Sequence, residues 1–135
     1  MDSDKTKHLE FIQATVVRMN SNSFMIKGWM ITLVSALFAL AAKDADTRFV
    51  MVTYVAIPAF WVLDGFYVSQ ERRYRALYDA VRESASTTFS MDTTPFDNGR
   101  NTWMAAIFST TLLIVYLLVV VMTWIVMFWL SRGGK

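Results

Sequence analysis

Three long apolar runs dominate the chain and are separated by polar stretches. Residues 24–42, 49–68 and 102–131 are rich in Leu, Ile, Val, Met, Phe and Trp, and the third run contains no charged residue. A helix of about 20 apolar residues crosses the hydrocarbon core of a bilayer. Backbone amides in lipid must form their hydrogen bonds within their own segment. The pattern therefore predicts an all-α membrane protein with three transmembrane helices.

The polar N-terminal stretch, residues 1–23, also has a helical pattern. Its apolar residues recur at spacings of three and four, at Leu9, Ile12, Val16 and Met19. This spacing predicts an amphipathic helix that leads into the first span. Two placements are open: the apolar stripe packs on the protein, or the helix lies in the plane of the lipid headgroups.

The other polar stretches define the connections. Residues 43–48 are predicted to form a turn, which makes the first two spans an antiparallel hairpin. Residues 69–83 continue the second span as a helix beyond the membrane. Residues 84–101, rich in Ser, Thr and Asp, are predicted to form a loop. Residues 132–135 form a short tail.

The basic residues indicate the orientation of the spans. Eight of them lie on the side that holds the N-terminus: Lys5, Lys7, Arg18, Arg72, Arg73, Arg75, Arg82 and Arg100. Four lie on the other side: Lys43, Arg48, Arg132 and Lys135. Because Lys and Arg accumulate on the cytoplasmic side, the N-terminus is predicted to be cytoplasmic and the C-terminus outside.

Two opposite charges lie inside the spans. Lys27 is 15 residues before residue 42, and Asp64 is 15 residues after residue 49. In an antiparallel hairpin both therefore reach the same depth. A lone charge in a span costs roughly 2.5–3.5 kcal/mol, and a partner of opposite sign offsets much of this cost. The sequence predicts an intramembrane ion pair, with two alternatives: each side chain extends separately to the headgroups, or Asp64 is a proton site.

One face of the first span consists only of small residues. It contains Gly28, Thr32, Ser35, Ala39 and Ala42. Small residues allow helix backbones to approach closely in lipid, where no hydrophobic drive brings helices together. The face is predicted to pack against another helix, either within the hairpin or in a second subunit.

Hydroxyl groups recur every seven residues along the third span, at Thr102, Ser109, Tyr116 and Thr123. They are expected to bond between helices or back to their own carbonyls. The alternative is that they line a water path around the axis of a homo-oligomer, because three helices are too few to enclose a pore.

Three arginines, Arg72, Arg73 and Arg75, follow the second span directly. Such a cluster is predicted to contact anionic lipid headgroups. The alternative is contact with a phosphorylated messenger or with an acidic cytoplasmic protein.

The sequence offers little chemistry for catalysis. It has no cysteine and a single histidine, His8, and it contains no HExxH motif and no glycine-rich phosphate loop. We expect no catalytic residues, metal site or cofactor, so an enzyme is not predicted. The net charge of +2 reflects the flanks of the spans and does not indicate nucleic-acid binding.

Three stretches resemble small bacterial inner-membrane proteins of anti-phage defence systems. They are NSFMIKGWMITLVSALFALAAKD (residues 22–44), FWVLDGFYVSQERRYRALYDAVR (residues 60–82) and FSMDT (residues 89–93). The resemblance implies a membrane-disrupting effector of the inner membrane, controlled by a partner protein or a nucleotide signal. Combined with the small-residue face, it leads to the hypothesis of a homo-oligomeric effector. A non-conducting anchor for a cytoplasmic protein and a small proton-coupled transporter are the alternatives.

Overall fold

The computed structural model describes residues 3–44 and 46–133 and contains only helices and connections in these ranges. Helix α1 spans Ser3–Asp44, α2 spans Thr47–Glu83, α3 spans Trp103–Ile107 and α4 spans Thr110–Gly133. Short 3-10 turns lie at Thr94–Phe96 and Gly99–Asn101. Helices α1, α2 and α4 are long and apolar enough to cross a membrane. The predicted fold class is confirmed: the chain is a multi-pass helical membrane protein.

Helices α1 and α2 form the antiparallel hairpin. The N-terminal segment and the first span are one uninterrupted helix, α1. The turn between the helices is shorter than the predicted stretch of residues 43–48, and residue 45, at its predicted centre, lies outside the described residues. Asp46 caps α2 by accepting a 2.9 Å hydrogen bond from the backbone N–H of Arg48. The Arg48 side chain also bonds this carboxylate, which holds the pKa of Asp46 below its usual value.

The part of the hairpin formed by residues 3–22 and 69–83 is called the stalk here. Its core is a buried cluster of Leu9, Ile12 and Val16 from α1 with Leu77 and Val81 from α2. The N-terminal apolar stripe is therefore packed on the protein and does not lie free in the headgroup plane. Spacings of three and four place these residues on one face of each helix, which explains why the two helices stay paired beyond the spans.

The loop of residues 84–101 is docked on the stalk. Lys5 Nζ donates hydrogen bonds of 2.7 Å to the carbonyl oxygens of Arg82 and Ser84. His8, which is 1% exposed, donates from Nε2 to the carbonyl oxygen of Ser90 at 2.8 Å. The loop also contributes Met91 and Phe96, which pack on the stalk core. The loop is thus fixed to both helices.

The third span differs from the prediction of one helix over residues 102–131. It is broken at Phe108 and Ser109 into α3 and α4. At the break, the Ile107 carbonyl oxygen accepts a 2.8 Å hydrogen bond from the Trp61 indole of α2. Insertion of a side-chain donor into the backbone ladder is a known cause of a helix break. The interruption therefore follows from a contact with the hairpin that the sequence of the third span does not reveal.

The membrane-spanning helices have a small common core and a large apolar exterior. Met30, Val34, Ile57, Leu112 and Tyr116 form the buried cluster that joins α1, α2 and α4. Large apolar side chains on the outer surface are more than half exposed; they include Phe24 (77%), Trp29 (63%), Val55 (75%), Trp124 (70%) and Trp129 (67%). Such a surface suits lipid and not water.

Candidate functional site

The two intramembrane charges meet at the centre of the hairpin. Lys27 Nζ lies 2.7 Å from Asp64 Oδ2. The Asp64 side chain is fully buried, whereas that of Lys27 retains 18% exposure. The antiparallel hairpin places them at one level because α-helices rise equally per residue on both sides of a short turn. The direct pair, and not separate extension of the two side chains, is the arrangement observed.

Two further side chains donate to the same carboxylate. Ser23, one turn before Lys27 in α1, donates from Oγ to Asp64 Oδ1. Tyr116, from α4, donates from its hydroxyl to Asp64 Oδ2 at 2.8 Å. Lys27 Nζ also donates to Ser23 Oγ at 2.8 Å. Asp64 therefore joins all three membrane-spanning helices through hydrogen bonds, which we call the Asp64 network (Ser23, Lys27, Asp64 and Tyr116).

The aromatic neighbours of Tyr116 hold its hydroxyl in place. The Tyr116 ring stacks on Trp61, with ring centroids 5.7 Å apart and planes at 6°. Trp61 is itself fixed by its indole hydrogen bond to Ile107. Because the stacking and the indole bond already restrict both rings, the hydrogen bond to Asp64 costs little additional conformational entropy.

The Asp64 network is closed, and this limits its chemistry. Both carboxylate oxygens accept hydrogen bonds, and no part of Asp64 is exposed. A charged carboxylate in low dielectric needs this degree of compensation. Within residues 3–44 and 46–133, no three His, Asp or Glu side chains are placed together so that they would hold a metal ion. The geometry fits a structural junction that positions α4 on the hairpin.

Close backbone packing accompanies the network at the next residue, Gly65. A Cβ atom there would lie 2.5 Å from Ile107 Cγ1 and 3.2 Å from Ile107 Cα. Helix α3 therefore approaches α2 at a distance that only glycine permits. The Trp103 indole, at the start of α3, donates to the carbonyl oxygen of Val62 at 2.9 Å. These contacts fix α3 beside Asp64.

The small-residue face of α1 is not used inside the molecule. Its members are all exposed: Gly28, Thr32, Ser35, Ala39 and Ala42. The hairpin is instead packed through a different face of α1, which includes Ile26, Met30 and Val34. Of the two predicted uses of this face, packing within the hairpin is not observed. Packing against a second subunit stays a prediction.

Three of the four hydroxyls in the line face the interior, whereas Thr102 caps α3 by accepting a hydrogen bond from the backbone N–H of Ala105. Tyr116 and Thr123 are fully buried. Tyr116 bonds Asp64, and Thr123 donates to the carbonyl oxygen of its own helix at Val119, 2.8 Å away. The Ser109 hydroxyl is buried without a hydrogen-bond partner. Bonding of these hydroxyls within the single chain agrees with the first of the two expectations, and the water path in a homo-oligomer stays a prediction.

Two of the three clustered arginines attach the loop to α2. Arg73 forms a 2.7 Å ion pair with Asp97, and Arg72 donates to the carbonyl oxygen of Arg100 at 2.6 Å. Arg75 pairs with Glu71 one turn earlier in the same helix. The structure thus gives Arg73 a structural role, while Arg72 and Arg75 keep donors that the protein does not use.

Sequence reasoning found Lys27 and Asp64 but did not assign Ser23 or Tyr116 to them. Ser23 carries a usable signal, since it precedes Lys27 by four residues and so lies on the same helix face. Tyr116 was recognised only as part of the hydroxyl line. Comparison of the chain with models of protein families, with curated proteins and with solved structures found no match.

Proposed function

We propose that the protein is an oligomeric bacterial inner-membrane effector, with its N-terminus in the cytoplasm, that perturbs the membrane when triggered. The observation that carries the proposal is the exposed small-residue face of α1. A membrane helix that keeps five small residues in line, outside its own hairpin contact, is suited to close packing against a second copy. The proposed activity, perturbation of the membrane, is what the resemblance to anti-phage effectors implies.

The closed Asp64 network restricts how the perturbation arises. Tyr116 and Thr123 of the hydroxyl line are buried within one chain, which favours a perturbation that does not run through a channel along this line. In this proposal disruption arises at the surface that faces lipid, where Trp29, Trp124 and Trp129 are exposed. The closed network also offers no water-accessible carboxylate of the kind a proton-coupled transporter needs.

The test is controlled expression in bacteria with a membrane-potential dye and in-cell cross-linking. Gly28→Leu should abolish cross-linked oligomers and preserve the potential, because the bulky side chain blocks close approach. The variant fits the single chain, since a Cβ at Gly28 would meet nothing within 4 Å. Val121→Leu, on the lipid-facing side of α4 and 54% exposed, is the matched control and should depolarise as the unaltered protein does.

Normal potential and growth at high expression of the unaltered protein, with the trigger of an infecting phage present, would contradict the proposal. Equal depolarisation by Gly28→Leu and the unaltered protein would exclude the small-residue face as the assembly surface.

A second function, a non-conducting anchor for a cytoplasmic protein, is favoured by the stalk. The stalk carries a cavity of about 240 Å³ lined by Gln13, Val16, Arg75, Tyr78 and Asp79. The anchor predicts a stable complex with a soluble protein and no leakage of dye from liposomes that contain the purified chain. The effector predicts leakage without any second protein.

A further inference from the structure

The docked loop creates a basic pocket that α2 alone does not possess. The 3-10 turn at Gly99–Asn101 brings Arg100 against Arg72 and Arg75. The three arginines surround a cavity of about 310 Å³, called the basic pocket here. Its lining residues are Arg72, Arg75, Ala76, Asp79, Arg100 and Asn101.

The guanidinium groups of the basic pocket are only partly satisfied by the protein. Arg75 uses Nε and Nη2 for Glu71, and Arg72 uses Nη1 for the carbonyl oxygen of Arg100. The Arg100 guanidinium has no ion-pair partner among residues 3–44 and 46–133. Two carboxylates, those of Glu71 and Asp79, stand against three guanidinium groups, and Asp79 is shared with Arg82 at 3.7 Å. The pocket therefore has an excess of positive charge and unused donors.

The depth of the basic pocket fits the lipid headgroups. Arg72 follows Asp64 by eight residues, which is about 12 Å along a helix. Asp64 lies among the spans, so this distance reaches the membrane surface at the stalk side. Trp103, 44% exposed and three residues after Arg100, marks the same level, since tryptophan is enriched at membrane interfaces.

We propose that the basic pocket binds the phosphate group of an anionic phospholipid of the stalk-side leaflet, held by Arg72, Arg75 and Arg100. Guanidinium groups present paired N–H donors that match phosphate oxygens. A soluble phosphate compound has the same recognition chemistry, and the experiment separates the two sources. The proposal does not depend on the effector function, because a lipid site at this position would serve an anchor equally.

The experiment titrates the full chain, in neutral detergent, with phosphatidylglycerol and follows the thermal unfolding midpoint. A ligand that binds the folded state raises this midpoint saturably. Phosphatidylcholine with the same acyl chains is the lipid control, and inorganic pyrophosphate is the soluble probe. Phosphatidylglycerol should give a saturable rise that phosphatidylcholine does not give.

The variants test the assignment of the site. Arg100→Gln should raise the lipid concentration at half-saturation about tenfold, as expected for loss of one charge-assisted contact. It retains the hydrogen bond to Arg72, which uses the backbone carbonyl of Arg100. Arg18→Gln is the matched control, because Arg18 is exposed and does not line the pocket. Arg18 lies nine residues before Lys27, and Arg72 lies eight residues after Asp64, so the two arginines are at about the same level. Arg18→Gln should change the lipid concentration at half-saturation by less than twofold.

Asp79→Asn should act in the opposite direction. Removal of the carboxylate from the pocket should lower the lipid concentration at half-saturation about threefold. Impaired folding would not produce such an increase in affinity. If pyrophosphate raises the unfolding midpoint of the unaltered protein but not that of Arg100→Gln, the site belongs to a soluble phosphate compound. The proposal is overturned if neither phosphatidylglycerol nor pyrophosphate raises the unfolding midpoint in a way that depends on Arg100. It is also overturned if Arg18→Gln weakens binding as much as Arg100→Gln.

Discussion

Replacement of Asp64 by Asn tests whether the Asp64 network holds the three spans together. The substitution keeps the size of the side chain and an acceptor oxygen but removes the negative charge. Ser23 and Tyr116 would then donate to a neutral group, and Lys27 would remain as the only charge in the network.

The expected loss in free energy of unfolding is about 3–4 kcal/mol. Hydrogen bonds to charged groups contribute about 1.5–3 kcal/mol and neutral ones about 0.5–1.5, so the two hydroxyl bonds lose about 1 kcal/mol each. Breaking a buried ion pair costs about 3–5 kcal/mol when the remaining charge is trapped. Lys27 is 18% exposed and its stem can extend toward the headgroups, so we assign about 1–2 kcal/mol to this contribution.

The assay is equilibrium unfolding in mixed micelles, followed by tryptophan fluorescence and circular dichroism. The double variant Lys27→Gln with Asp64→Asn removes the stranded charge and should recover about 1–2 kcal/mol. Thr53→Val is the control for a buried polar change in the same helix: Thr53 is fully buried and its hydroxyl has no hydrogen-bond partner, so its removal should not destabilise. The reasoning is refuted if Asp64→Asn changes stability by less than about 0.5 kcal/mol, the usual range for substitutions that disturb no specific contact. It is also refuted if the double variant is less stable than Asp64→Asn.

Three further substitutions probe other parts of the site. Tyr116→Phe removes one donor and keeps the ring, so it should cost about 1–2 kcal/mol in the same unfolding assay; no change would mean that the hydroxyl bond contributes nothing. Gly65→Ala forces a Cβ against Ile107 and should cost about 1–3 kcal/mol; equal stability would contradict the close approach of α3. Arg73→Gln removes the pair with Asp97 and should speed amide exchange and proteolysis in the loop while the spans stay protected; unchanged loop exchange would show that other contacts suffice to dock it.

The hairpin and its ion pair were predictable because a short turn fixes the register of two helices. Once the turn is located, the equal rise per residue determines which positions face each other, and Lys27 meets Asp64. The apolar stripe of Leu9, Ile12 and Val16 was predictable from its spacing of three and four, whereas its packing against α2 was one of two open placements. The error in the ends of the turn did not change the register, because the predicted turn of residues 43–48 and the observed interval between Asp44 and Thr47 have the same centre.

The third span was less predictable because no short turn fixes its register. It is joined to the hairpin by the loop of residues 84–101, whose docking is set by tertiary contacts such as Arg73 with Asp97. Tyr116 was therefore visible as a hydroxyl but had no assigned partner. The break at Phe108 and Ser109 also depends on a remote donor, Trp61, and no helix-breaking proline lies near it in the sequence.

The late arrival of Tyr116 has a consequence for biogenesis. During synthesis the hairpin leaves the ribosome well before residue 116, so Asp64 first enters the bilayer with Lys27 and Ser23 but without its phenol donor. The incomplete molecule presents an under-compensated carboxylate on the face that α4 later covers, and this raises its cost in lipid. A chain truncated after α2 should consequently be cleared by membrane proteases faster than the full chain, because only α4 supplies the phenol donor that completes the hydrogen bonding of Asp64.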